Sequence, residues 1–179
     1  AIGAGALEVL TTGDGNLALG YQALSTHTSG SRNIAIGYQT MRDTDATAAA
    51  DGGAGGTAGT LASLDNMFIG YQAGGGTWTG SDSSYNIGIG NYVMDAILDG
   101  ALYNTGVGYA SLGALTTGNY NTAIGSSAMG AVAQQEASGS GRIAKENVAI
   151  GVEALFGGGL ASTKDLIGNI TIGHEAMNS

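Results

Sequence analysis

Residues 121–129 read NTAIGSSAM and residues 33–41 read NIAIGYQTM, two statements of one nine-residue phrase. It consists of Asn, two apolar or strand-forming residues astride a small one, Gly, two variable positions, a small residue and then Leu or Met. The phrase starts at Asn16, Asn33, Asn66, Asn86, Asn104, Asn121, Asn147 and Asn169, and AIGAGAL at residues 1–7 is a further copy lacking its first two residues. The asparagines are 17, 33, 20, 18, 17, 26 and 22 residues apart, so a minimum unit of 17 recurs and the longer intervals carry insertions. A unit this short cannot bury an apolar face alone and must stack on its neighbours, with insertions leaving the stack as loops. The expected fold is all-β, a repetitive parallel β-solenoid or β-roll with one coil per repeat. A single array spans residues 1–179, with loop insertions at 42–65, 74–85 and 130–146.

Within each copy the apolar residues alternate, as in Leu17 and Leu19, Ile34 and Ile36, or Val148 and Ile150. A period of two predicts a short strand with the pair on one face. The intervening residue is small or strand-forming (Ala18, Ala35, Gly88, Gly106, Ala123, Ala149, Thr171), Phe68 excepted. The expectation is that the apolar pair points inward and the small residue packs against another chain. Thr105 and Thr122 in the first apolar slot predict that this slot is less deeply buried than the second.

Asn tolerates left-handed backbone and bonds its own turn, so it is expected to bring the strand out of a tight corner. Stacked in register about 4.8 Å apart, the eight amides would each donate to the next. Gly20, Gly37, Gly70, Gly90, Gly108, Gly125, Gly151 and Gly173 end the strands, which suits positive φ or a contact too close for a Cβ. Leu24, Met41, Met94, Leu112, Met129, Leu155 and Met177 then return an apolar side chain to the interior, on a second short strand or a helical turn. Tyr21, Tyr38, Tyr71 and Tyr109 share the slot after the Gly, and the first two are expected to stack as an aromatic ladder.

Glycine is 34 of 179 residues and proline is absent, yet the 43% hydrophobic residues sit at fixed positions, which argues for order. A chain without proline keeps every backbone N–H available for inter-coil bonding. Only Glu153 and Glu175 among the charged residues fall inside a phrase copy. The net charge of −9, without a basic stripe, disfavours nucleic acid. With no cysteine there is no disulfide or thiolate metal site, and no apolar run reaches membrane-spanning length. The chain starts mid-repeat without Met and stops ten residues into a unit, the expectation for a segment of a longer protein.

Specific binding is expected only in the insertions. Asp43, Asp45 and Asp51 offer oxygen ligands, but the glycine and terminal glutamate of an EF-hand loop are missing, so a solvated loop is the reading. Gly52–Gly56 lacks the Gly-Lys-Ser/Thr of a phosphate cradle. Trp78, the sole tryptophan, and Tyr85 are candidate surface-binding residues at the 74–85 loop; the plainer reading of Trp78 is packing over a neighbouring coil or subunit. His27 and His174 lack triad partners, and no metal-ligand cluster or cofactor motif is evident, so no catalytic, metal or cofactor residue is assigned and no enzyme is expected.

The phrase at Asn121–Met129 and Asn33–Met41 resembles the shaft repeats of bacteriophage tail fibres and is similar to the head repeats of trimeric autotransporter adhesins. The resemblance spreads along the whole chain but covers only the phrase copies; the Tyr-Gln-Ala-Leu after the Gly is more like the phage type. It implies a homotrimeric, left-handed parallel β-roll or closely related β-solenoid that forms a rigid rod or adhesive head, serving as an extracellular stalk on a virion or cell-surface appendage. The partners it implies are further copies of the chain and a cell-surface glycan or protein receptor, with no nucleic acid and no membrane insertion. The alternative it carries is an adhesion module that binds through its loops.

Overall fold

The computed structural model describes residues 1–44, 63–78, 81–96, 98–132, 144–157 and 165–177. Strands β1 (Leu17–Leu19), β2 (Ile34–Ile36), β3 (Met67–Ile69), β4 (Ile87–Ile89), β5 (Thr105–Val107), β6 (Thr122–Ile124), β7 (Ala144–Lys145), β8 (Val148–Ile150), β9 (Leu166–Ile167) and β10 (Ile170–Ile172) follow in order, and no helix occurs among the described residues. The sheet runs β1-β2-β3-β4-β5-β6-β8-β10, all parallel, while β7 pairs with β9. Equivalent positions pair without slippage, so Leu17, Ile34, Met67, Ile87, Thr105, Thr122, Val148 and Ile170 form one column. The chain is a parallel β-solenoid with one coil per repeat.

Inter-coil bonding runs past the strands. Gly37 N–H donates to Leu19 C=O at 2.8 Å, Gln39 to Tyr21 at 2.8 Å and Met41 to Ala73 at 2.9 Å. The segment after the Gly is therefore neither a strand nor a helical turn but a stacked turn. Its bends come from left-handed residues in fixed columns. They stand immediately before the Asn (Arg32, Asp65, Tyr85, Tyr103, Tyr120, Glu146), two residues after the Gly (Gln22, Gln39, Gln72, Tyr92, Ala110, Ser127) and two further on (Leu24, Met41, Met94, Leu112, Met129, Leu155). The corner thus uses the residue before each Asn, not the Asn itself. None of these left-handed residues is β-branched, consistent with the cost of Val, Ile or Thr there.

A left-handed non-glycine residue carries roughly 1–2 kcal/mol of strain, which glycine relieves while losing about 0.5–1 kcal/mol in entropy. Ala110, with φ 50°, has little side chain to lose. Ala110→Gly is expected to stabilise the chain by about 0.5 kcal/mol and Ala110→Val to destabilise it, both read by urea denaturation.

Burial reverses the expected strand orientation. The middle residues Ala18, Ala35, Phe68, Ala123, Ala149 and Thr171 are buried, and the apolar pair on either side points outward. Strand alternation fixes which residues share a face but not which face is inside. The interior is filled from across the coil by Leu24, Met41, Met94, Leu112, Met129 and Leu155, all buried, so only small residues fit beneath the strands. Met177, in the last described coil, is exposed. Nor is the first apolar slot consistently the more exposed: Thr122 and Val148 are half-buried while Ile124 and Ile150 are exposed, whereas Leu17 and Ile170 are slightly more exposed than Leu19 and Ile172.

Phe68 occupies a small-residue slot because glycine makes room elsewhere. Gly74 replaces the Leu/Met of that coil, where a Cβ would approach Phe68 Cδ1 at 3.0 Å, and Gly88 replaces the small residue above it. Trp78 completes the exchange, edge-on to Phe68 with ring centroids 5.8 Å apart.

Candidate functional site

The eight asparagines form a continuous internal ladder. Asn121 donates from both its backbone N–H and Nδ2 to Asn104 Oδ1, each at 3.0 Å, and Nδ2 also reaches Ala144 C=O at 2.9 Å. The same pattern links Asn33 to Asn16, Asn66 to Asn33, Asn86 to Asn66, Asn104 to Asn86, Asn147 to Asn121 and Asn169 to Asn147. Asn33 to Asn147 are fully or almost fully buried. Their amides are committed to the scaffold and hold coil to coil.

Trp78, expected on an exposed loop, is wholly buried, with Nε1–H donating to Gly74 C=O at 3.2 Å. It packs in the core and is no surface-binding residue. Tyr85 is 43% exposed and stacks on Tyr103, which stacks on Tyr120, at centroid separations of 4.7 and 5.0 Å. Lys145 Nζ lies 6.0 Å from the Tyr120 ring centre, within cation–π reach. Below Tyr85 the same column holds Arg32 and Asp65 in a bidentate pair at 2.7 and 2.8 Å. That pair holds the Asp65 carboxyl below its ordinary range and raises Arg32.

The opposite corner carries the expected ladder and extends it. Tyr21, Tyr38 and Tyr71 stack at 5.1 and 5.3 Å, and Tyr92 bridges edge-on from Tyr71 to Tyr109. Beside them Gln39 donates to Gln22 at 2.8 Å and Gln72 to Gln39 at 3.0 Å. Stacking leaves tyrosine edges and hydroxyls toward solvent while the ring faces cover one another. Sugar binding uses open ring faces, so these columns suit packing better than glycan capture. Tyr103→Ala removes two stacked contacts of about 0.5–1.5 kcal/mol each and is expected to lower stability by about 1–2 kcal/mol in thermal denaturation. The Tyr85 column was missed because its coils also carry Arg32, Asp65 and Glu146; aligning the copies one residue upstream of Asn reveals it.

Between the tyrosine columns lies the outward sheet face, where Leu17, Leu19, Ile87, Ile89, Ile124 and Ile150 are each 36–45% exposed. His27 is buried, with Nδ1 2.9 Å from Thr44 Oγ1 and Nε2 2.9 Å from Gly30 O. His174 is exposed, 3.5 Å from Glu175. Asp43 pairs with Arg42 at 2.7 Å, while Asp45, Asp51 and Gly52–Gly56 lie outside the described residues. Among the described residues no three His, Cys, Asp or Glu cluster in a way that could hold a metal, and no helix is long and apolar enough to cross a membrane.

With this geometry in hand, comparison with family models, curated proteins and solved structures yields no match.

Proposed function

We propose that the chain is a structural shaft segment of an extracellular appendage such as a phage tail fibre, working as a homotrimeric stalk that supports attachment. The observation that carries this reading is the unbroken coil-to-coil bonding from Asn16 to Asn169, in which backbone, asparagine amides and aromatic rings repeat along one axis. Eight strands in register at about 4.8 Å make a stiff element roughly 34 Å long. The repeated use of Asn, Gln and Tyr side chains for coil-to-coil stacking favours a mechanical role over chemistry. The exposed apolar sheet face supports self-association. An adhesive role through Trp78 loses its basis, because that ring is in the core.

Immunogold electron microscopy with antibodies to this chain tests the proposal. Label along thin projections from a virion or cell is expected; label confined to the cell interior would sink it.

A further inference from the structure

We draw no further inference here: the strongest candidate, the open edge of the sheet at β10, where Ile170 and Ile172 are 73% and 69% exposed, carries nothing, because a further coil there would only continue the stack already described and nothing in the structure shows what covers it.

Discussion

Gly108→Ala is expected to cost more than 4 kcal/mol or to prevent folding, while Gly173→Ala costs about 1–3 kcal/mol. Both glycines end a strand at φ 131° and 130°, a conformation that alanine adopts only with strain of that smaller size. Their surroundings separate them. A Cβ on Gly108 would lie 2.5 Å from Gly125 O and 2.6 Å from its carbonyl carbon, whereas one on Gly173 would meet Ala176 Cβ at an ordinary 3.9 Å. Gly108 cannot yield by moving away, because its N–H bonds Ile89 C=O at 2.8 Å and Gly125 N–H bonds Val107 C=O at 2.8 Å. Relief would require opening the ladder between two coils, and a solenoid's stability is a chain of nearest-neighbour contacts. Urea denaturation followed by circular dichroism compares the two variants. Equal losses would show that backbone strain alone, not coil spacing, dictates glycine here.

The phrase made strand, bend and amide ladder legible because each rests on a local rule. Alternation marks Ile87 and Ile89 as sharing a face, an invariant Gly marks the bend, and register follows from stacking identical Asn residues. Sidedness was not legible. An isolated soluble coil would put its larger apolar residues inside, but here Leu112 and Met129 already fill the interior from across the coil, leaving room only for Gly106 and Ala123 beneath the strands. The Trp78 position depended on a volume exchange among Phe68, Gly74 and Gly88, residues that look unrelated until coils are superposed. The left-handed corner before each Asn was hidden by its mixture of Arg, Asp, Tyr and Glu, whose common property is the lack of a branched Cβ.

Asn104→Ala is expected to destabilise the chain by about 3–5 kcal/mol, several times the effect of an exposed substitution. Asn104 Nδ2 donates to Asn86 Oδ1 at 3.0 Å and to Gly118 C=O at 2.6 Å, and its Oδ1 accepts both the backbone and side-chain N–H groups of Asn121. Asn86 keeps the backbone donor of residue 104 and Asn121 Nδ2 keeps Ala144 C=O. Gly118 C=O and the Asn121 backbone N–H lose these partners in a buried site, at about 1–3 kcal/mol each, and a small cavity adds to the loss. Asn104→Asp separates hydrogen bonding from shape. The carboxylate still accepts from Asn121, but its second oxygen faces the acceptors Asn86 Oδ1 and Gly118 O, so the ionised form is disfavoured and the folded-state pKa rises above the ordinary value near 3.9. A proton taken up there restores one donor. The folded state then binds the proton more tightly than the unfolded state, so the stabilisation from protonation is fully present below the unfolded pKa and is lost as pH rises through the folded pKa. Relative to the parent chain, Asn104→Asp should therefore be most destabilised at neutral pH and recover toward pH 4, while the Asn104→Ala deficit stays nearly constant. A deficit in Asn104→Asp that does not change with pH would mean that the ladder tolerates an acceptor in place of the amide donor, and that the asparagines are held by backbone geometry alone.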